Sequence, residues 1–279
     1  MDNSNEKTAI DILSASEARV TPQVLAKSLA GQAGISLRQA RNIIRLLTDK
    51  GEISYDYTFG ATCLGLSFAK PVRVTQGFVL TPPGMGYRGK QPGVVEIVLA
   101  PGVSFGTGRH PTTRLCLAAI DHVLLQPQIR TEDHFLKTAD IGTGSGVLAI
   151  ALVKAGAGKC LALDMDFNAI SEAKKNIRLN KLENQIQISN ELLEHNSENF
   201  DLICANLRFP TLKGLVPLFV KKIQKKGVLI LSGVRTWETR ELVKICFNNG
   251  FDLLWQKDEK QWTGLILQKK KNFHPGETL

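Results

Sequence analysis

The sequence predicts an α/β protein whose mostly parallel sheet carries helices on both faces, preceded by a small, mainly helical domain. From the strand that ends at Asp140 onward, short apolar segments suited to strands alternate with segments suited to helices, a pattern that produces parallel sheets. Residues 6–66 instead contain three helical segments followed by two short strands. With 279 residues, of which 43% are hydrophobic, the chain can form a complete α/β core and a second domain.

We therefore divide the chain into an N-terminal domain (1–69), a bridge of strands and a loop (70–100), and a large α/β domain (101–279). In the first part, Thr21-Pro22 and Ser36 are typical helix starts, and the third helix is predicted to run to Lys50. Two strands around a turn near Gly60 complete a layout typical of a winged helix-turn-helix.

The third helix is predicted to expose Arg38, Arg41 and Arg45, a possible surface for nucleic acid. Residues 1–70 nevertheless hold 8 Lys/Arg against 7 Asp/Glu, a net charge of only +1. We therefore favour protein docking over DNA reading for this domain.

The bridge contains predicted strands at 72–74, 77–80 and 94–99, separated by a Pro- and Gly-rich loop at 81–93. Proline excludes regular structure from such a segment, and glycine gives it conformational freedom. The loop is expected either to cover an active site or to be a passive connection.

A glycine-rich turn follows the first strand of the α/β domain. A strand ends at Asp140, Gly142, Gly144 and Gly146 follow, and Val147–Lys154 reads as a helix. Glycines suit a turn through which the backbone approaches a ligand closely. The next predicted strand ends at Asp164, whose carboxylate can accept both hydroxyls of a ribose.

The glycine spacing is G-x-G-x-G, whereas a pyrophosphate-binding turn has G-x-G-x-x-G. Asp140 would also place a negative charge where a pyrophosphate sits. A ligand with a cationic end fits better, which favours S-adenosylmethionine over NAD. The alternative is a turn that binds nothing.

Two further segments are expected to reach the same crevice. A helix is predicted over 114–125, and its start is suited by Pro111, Thr112 and Thr113. The free N–H groups at such a helix start can hold the carboxylate of a ligand. The alternative is an ordinary helix cap that binds no ligand. Asn206 ends a predicted strand at 200–205, and ligands of doubly wound sheets lie at the carboxyl ends of strands. Taken alone, Asn206 would be a turn residue.

These segments together resemble the ribosomal protein methyltransferase PrmA family, within the seven-stranded S-adenosylmethionine-dependent methyltransferases. The matching segments, from about 100 to 268, are 105–113 (FGTGRHPTT), 140–146 (DIGTGSG), 163–166 (LDMD), 205–207 (ANL) and 231–234 (LSGV). The resemblance implies a Rossmann-like sheet whose last strand is antiparallel. It implies cofactor contacts from Phe105, Thr107, Thr113, Asp140, Gly142, Gly144, Asp164 and Asn206.

The sequence departs from this family in its N-terminal domain, which differs from the usual substrate-recruiting domain, and at Arg109, where the family has a smaller residue. For catalysis, methyl transfer needs mainly a positioned acceptor and a rigidly held cofactor. The amide of Asn206 is predicted to orient the acceptor amine. His110 is either a general base or a residue that holds its loop together. No metal-ligand cluster or nucleophile triad is evident in the sequence.

Three functions are therefore consistent with the sequence. The first is N-methylation of a protein substrate such as a ribosomal protein. The second is methylation of nucleic acid guided by the N-terminal domain, which is weakened because Asn206-Leu-Arg-Phe-Pro210 lacks the Asn/Asp-Pro-Pro-Tyr/Phe pattern of base methyltransferases. The third is a regulator that binds cofactor or DNA without catalysis, which the departures at Arg109 and Arg208 leave open.

Composition narrows the cellular setting. No apolar run reaches the ~18 residues of a membrane span, and the polar N-terminus is not that of a signal peptide, so no membrane partner is expected. Five widely spaced cysteines predict buried free thiols and a cytoplasmic protein. The net charge of +9 lies almost entirely after residue 70, which favours an acidic or nucleic-acid-associated partner such as the ribosome.

Overall fold

The computed structural model describes residues 3–16, 20–58, 61–67, 70–87, 89, 92–101, 108, 110–125 and 137–271. The chain divides into two compact units, Met1–Pro71 and Val72–Leu279. Among the described residues, none of the helices combines the length and the apolar character that crossing a membrane requires.

The first unit consists of three helices and a hairpin, as predicted. Helices α1 (Asn3–Ala15), α2 (Pro22–Ala33) and α3 (Leu37–Asp49) precede antiparallel strands β1 (Ile53–Thr58) and β2 (Ala61–Leu66). Buried apolar side chains of all three helices and both strands form one core. The assignment of this arrangement as a winged helix stays a prediction.

Helix α3 is fixed at its start by a capping box. The Ser36 hydroxyl accepts from the Gln39 N–H, and the Gln39 side chain accepts from the Ser36 N–H. Ala40, Ile44 and Leu47 then face the core, whereas the predicted arginine face is exposed to solvent.

The predicted bridge forms a small sheet inside the second unit. Strand β3 (Val72–Arg73) pairs antiparallel with β4 (Phe78–Thr81), which pairs parallel with β5 (Val95–Val98). The Pro- and Gly-rich segment therefore connects β4 to β5 within one unit and does not link the two units.

A seven-stranded sheet forms the centre of the second unit, in the order β11-β12-β10-β9-β6-β7-β8. Its strands are β6 (Lys137–Ile141), β7 (Lys159–Leu163), β8 (Ile186–Ser189), β9 (Phe200–Asn206), β10 (Ile223–Arg235), β11 (Phe251–Glu259) and β12 (Trp262–Lys269). Within the sheet, the adjacent strands β8, β7, β6, β9 and β10 all run parallel. Strand β12 is antiparallel to both of its neighbours, β10 and β11. The predicted antiparallel last strand is confirmed.

Helices cover both faces of this sheet: successive side chains of a strand point to opposite faces, and in the central strands β6, β7 and β9 both sets are buried. They are α4 (Pro111–Ile120), α5 (Val147–Lys154), α6 (Phe167–Leu179), α7 (Phe209–Lys222) and α8 (Thr239–Asn248). On one face, Ile203 and Leu231 belong to a core with Phe219 and Leu242 of α7 and α8. On the other, Asp140 of β6 accepts a hydrogen bond from Ala149 of α5. The predicted fold class is confirmed.

Helix α4 differs from its prediction at both ends. It begins at Pro111, three residues earlier than predicted, because His110 caps it. Its last turn continues as a π-helix over Asp121–Leu125, where the Asp121 carboxylate accepts the N–H of Gly77 at 3.0 Å. This contact ties α4 to the small sheet.

Two buried asparagines, one in α6 and one that caps its C-terminal end, hold the chain that leads into the site. Asn180 accepts the N–H of Val98 at 3.0 Å and donates to its carbonyl at 2.6 Å. Asn176 accepts the N–H of Ala100 at 2.8 Å and donates to the carbonyl of Ser145 at 2.8 Å. One fully buried amide therefore joins the segment after β5 to the glycine-rich turn.

Candidate functional site

The strand order places a crevice at the carboxyl ends of β6, β7 and β9. From β6 the chain continues to β7 and β8 on one side, whereas β9 and β10 lie on the other. Such a reversal opens a crevice beyond the strand ends, where doubly wound sheets bind ligands. Ile141 pairs with both Leu163 and Ala205, so the three strands end side by side.

The glycine-rich turn lies at the floor of this crevice. Gly142, Gly144 and Gly146 have φ of 73°, 55° and 81°, a left-handed conformation that favours glycine. The N–H groups of Gly142 and Thr143 donate to the Leu163 carbonyl at 2.8 and 2.9 Å. The turn is thus fixed to the end of β7, and its predicted strand–turn–helix context is present.

Asp140 is fully buried below the turn. Its Oδ2 accepts from the Thr143 hydroxyl at 2.6 Å and from the Ala149 N–H at 3.1 Å. In the part of the chain that the structure describes, its Oδ1 has no hydrogen-bond partner. Burial raises the pKa of Asp140 to about 6. The two hydrogen bonds oppose this rise, and the negative charge of Asp164 adds to it. A cationic or N–H-bearing ligand group near this carboxylate would favour its charged form.

Asp164 directly follows β7 and is half-buried at the crevice. Its Oδ2 accepts the Gly144 N–H at 2.8 Å, and its Oδ1 accepts the Asp166 N–H at 3.0 Å. Each carboxylate oxygen can accept a further hydrogen bond. Two backbone contacts therefore orient a carboxylate that can still bind a pair of adjacent hydroxyls.

The start of α4 brings His110 and Thr113 to the site. His110 is the N-cap: its Nδ1 accepts the Thr112 N–H at 3.3 Å and lies 2.8 Å from the Thr112 hydroxyl oxygen. Burial and the positive charge of Arg208 lower the pKa of His110 to about 4, so its ring is neutral at neutral pH. The predicted loop-holding role has a structural basis in this cap, and the general-base role stays a prediction.

Thr113 is fully buried and Ser145 nearly so. Within the described residues, neither hydroxyl has a hydrogen-bond partner. Buried hydroxyls are rarely left without one. These two hydroxyls and Asp140 Oδ1 are therefore polar atoms that a bound cofactor could satisfy.

Asn206 is the last residue of β9, half-buried beside Ser232 of β10. Leu207 follows it and packs against both neighbouring strand ends. A Cβ at Gly142 would lie 2.5 Å from a Leu207 methyl carbon, and a Cβ at Gly233 would lie 2.3 Å from the Leu207 carbonyl oxygen. The ends of β6, β9 and β10 are therefore packed without spare room around Leu207.

The remaining predicted site residues lie outside the described part of the chain. Phe105 and Thr107, predicted cofactor contacts, belong to residues 102–107, and Arg109 is likewise not described. Their roles stay as the resemblance implies them.

The structure adds residues that the sequence did not single out. The Arg235 guanidinium carbon lies 3.8 Å from the Trp262 ring centroid, and that of Arg208 lies 5.6 Å from it. The His110 ring meets the same indole edge-on at 5.2 Å. Because β12 is antiparallel, its first residue arrives at the carboxyl end of β10, where Arg235 pairs with Trp262. The predicted antiparallel strand was the signal that could have placed Trp262 here.

The strand order, the antiparallel β12 and the glycine-rich turn after β6 are together those of the methyltransferase fold. The family profile described as "Ribosomal protein L11 methyltransferase (PrmA)" matches residues 66–270. The chain belongs to this family. The match begins near residue 66, so the small sheet is part of the family region, which the resemblance had placed only from about 100.

Similar proteins agree with this assignment. Proteins named ribosomal protein L11 methyltransferase from Lacticaseibacillus paracasei and Trichlorobacter lovleyi are 34% and 39% identical over 70% and 66% of this chain. The chain spans 59% and 57% of the length of those two relatives. The crystal structure of the ribosomal protein L11 methylase from Lactobacillus delbrueckii subsp. bulgaricus superposes with a TM-score of 0.64 at 29% identity, covering 72% of this chain and 99% of the solved one.

Proposed function

We propose that this protein is an S-adenosylmethionine-dependent methyltransferase that methylates amino groups of a ribosomal protein. The observation that carries the proposal is the pair of carboxylates at the crevice, Asp164 oriented by two backbone N–H groups and Asp140 buried with one oxygen unpartnered. Membership of the ribosomal protein L11 methyltransferase family supports the reaction and makes ribosomal protein L11 the first substrate to test.

The residues present fit the cofactor. The unpartnered Asp140 Oδ1 and the unpartnered hydroxyls of Thr113 and Ser145 suit a ligand that carries both amino and carboxylate groups. Asp164 would hold the ribose hydroxyls, and the left-handed backbone at Gly142 and Gly144 allows close approach. Phe105 and Thr107 would add contacts by resemblance. When bound, the cofactor supplies an electrophilic methyl group.

Catalysis then depends on how the chain presents the acceptor. Asn206 at the end of β9 would accept an N–H of the acceptor amine through its side-chain oxygen and so aim the nitrogen lone pair. His110, neutral because burial and Arg208 lower its pKa, is the second catalytic candidate. Because Nδ1 accepts the Thr112 N–H, the neutral ring carries its hydrogen on Nε2, so a general-base role would require Nδ1 to give up this cap.

We assign substrate selection to the N-terminal unit, which contributes no strand to the seven-stranded sheet. Protein docking is the favoured role, and nucleic-acid binding through the exposed face of α3 is the alternative. The five cysteines are free and buried, which supports a cytoplasmic setting.

The test combines binding and label transfer. Calorimetry should show one-to-one binding of S-adenosylmethionine and S-adenosylhomocysteine, with no competition by NAD. Radiolabelled cofactor incubated with purified ribosomal protein L11, ribosomal RNA and fractionated extract should label protein. Label in RNA alone would support the nucleic-acid alternative, and binding without label in any fraction would support a non-catalytic regulator.

A further inference from the structure

The acceptor side of the crevice is basic and aromatic. Arg208, two residues beyond Asn206, is exposed, and Arg235 at the end of β10 is partly exposed. Both guanidinium groups approach the Trp262 ring, which is only 6% exposed. Trp237 lies next to them, with Arg235 5.5 Å from its ring centroid, and is 68% exposed.

This arrangement disfavours binding of a positively charged substrate segment. An aromatic cage binds an ammonium group through open ring faces, but the Trp262 ring is buried and already contacts two guanidinium groups. The positive charges would repel a second cation near Asn206. Two carboxylates of this region have other partners: Glu259 pairs with Arg114 at 3.1 Å, and Glu238 accepts the backbone N–H of Arg235 at 2.8 Å.

An exposed arginine and an exposed tryptophan, linked here through Arg235, which contacts both the Trp262 and the Trp237 ring, are instead typical of a recognition surface. Arginine and tryptophan are enriched among the residues that dominate binding energy at interfaces. A guanidinium group stacked on an indole is held in position, and its planar fork of donors matches a carboxylate. Arg208 therefore offers an anion site close to the amide that would orient the acceptor.

We propose, on the basis of the methyltransferase function proposed above, that the acceptor amine is presented by an acidic peptide segment whose carboxylate binds Arg208, with Trp237 packing against the same segment. A protein segment fits better than a nucleic acid. Nucleic-acid binding needs a row of phosphate contacts, whereas the exposed Lys225 and Lys226 lie at the start of β10, the opposite edge of the sheet.

The test uses the full chain loaded with S-adenosylhomocysteine. Three fluorescein-labelled peptides of equal length carry one lysine flanked by glutamates, by glutamines or by lysines, and anisotropy gives each Kd. The glutamate peptide should bind on the order of 10-fold more tightly than the lysine peptide, since charge-assisted hydrogen bonds are the strong ones. Arg208→Gln should reduce this preference to about two-fold.

Matched variants separate charge from packing. Arg178→Gln removes an exposed arginine in the last turn of α6 and should leave the preference unchanged. Trp237→Ala should weaken binding of all the peptides by a similar factor. Equal affinity for every peptide, a preference for the lysine peptide, or a glutamate preference that is undiminished in Arg208→Gln would each overturn the proposal.

The outcome is separable from that of the proposed function. Calorimetry with S-adenosylhomocysteine reports cofactor binding in every variant, so absence of peptide binding beside a saturable calorimetric signal overturns only the acidic-peptide proposal. Absence of the calorimetric signal in the unmodified chain overturns the proposed function instead. A single-stranded oligonucleotide is the competitor. If it displaces the glutamate peptide and its own binding depends on Arg208, then Arg208 binds a phosphate and not a carboxylate, and the acidic-peptide proposal is overturned.

Discussion

The two halves of the crevice are built in opposite ways. The half at β6 and β7 is acidic and is shaped by backbone: glycines in left-handed conformation and carboxylates held by N–H groups. The half at β9, β10 and β12 is basic and is shaped by side chains, with Arg208 and Arg235 around Trp262. The first half comes from one short stretch of chain, and the second from three distant ones. The acidic half therefore suits the cofactor site proposed above, and the basic half suits the proposed acceptor side.

The two halves meet at Leu207. Substitution of the glycines packed against Leu207 should have the largest effect on the stability of the fold. An alanine at Gly233, where φ is 91°, would bring its Cβ within 2.3 Å of the Leu207 carbonyl oxygen. Backbone cannot move aside cheaply, so Gly233→Ala should destabilise the fold by about 2–4 kcal/mol. Urea denaturation measures this loss.

Gly142→Ala is the matched control, because the nearest atoms to its Cβ would belong to the Leu207 side chain, the closest being a methyl carbon at 2.5 Å. The flexible side chain can turn away, so the loss should be smaller, about 1–2 kcal/mol for the left-handed φ alone. Equal losses in the two variants would contradict the view that β9 and β10 are locked together through the Leu207 backbone.

Asn206→Ala should separate catalysis from cofactor binding. Loss of a positioning hydrogen bond near the reacting atoms should lower turnover on the order of 100-fold or more. Cofactor affinity measured by calorimetry should change much less, because the role proposed for Asn206, at the end of β9, is to orient the acceptor. Near-normal turnover would move the catalytic role elsewhere, and a His110→Asn variant, which keeps a capping side chain, would be measured next.

Asp164→Ala should give the converse result, weakening cofactor binding more than any acceptor-side change. Losing hydrogen bonds to a charged group costs about 1.5–3 kcal/mol, or about 10- to 150-fold in Kd. Asp252→Ala serves as a control. Asp252 lies at the start of β11, at the opposite end of the strand from the crevice, and its carboxylate pairs with Lys270. Unchanged affinity in a folded Asp164→Ala protein would remove the ribose assignment.

The two halves should also respond oppositely to pH. Burial raises the pKa of Asp140 from an ordinary 3.8 to about 6, so between these values the folded state binds more protons and stability falls as pH rises, by at most about 1.4 kcal/mol per pH unit. Burial and Arg208 lower the pKa of His110 from 6.5 to about 4, so between those values the unfolded state binds more protons and stability rises with pH.

Denaturation from pH 4.5 to 6 therefore distinguishes them. Relative to the unmodified protein, Asp140→Asn should gain stability as pH rises and His110→Asn should lose it. Parallel curves for either variant would show that the corresponding group does not titrate differently in the folded and unfolded states.

Most of the acidic half could be predicted from sequence, and little of the basic half could. The turn after Asp140 and the carboxylate after β7 are encoded by local spacing, which limits where the backbone can go. Trp262 and Arg235 meet only because β12 reverses direction beside β10; the antiparallel strand that the resemblance implied gives this direction, but no local pattern gives the register. The helix cap formed by His110 was missed because the following Pro-Thr-Thr offered more usual capping hydroxyls.

The smallest effect on the crevice is expected from the N-terminal unit. Replacing Arg38, Arg41 and Arg45 by glutamine removes the exposed basic face of α3, which contributes nothing to the seven-stranded sheet, so cofactor affinity should stay within about two-fold. Because residues 1–70 carry a net charge of only +1, we expect no salt-dependent binding of duplex DNA or RNA to be lost with these arginines. The measurement is the slope of log affinity against log salt for the unmodified and triple-substituted chains. A slope that falls by about three in the triple variant would show that all three arginines contact phosphates and would turn this unit from a protein-docking module into a nucleic-acid reader.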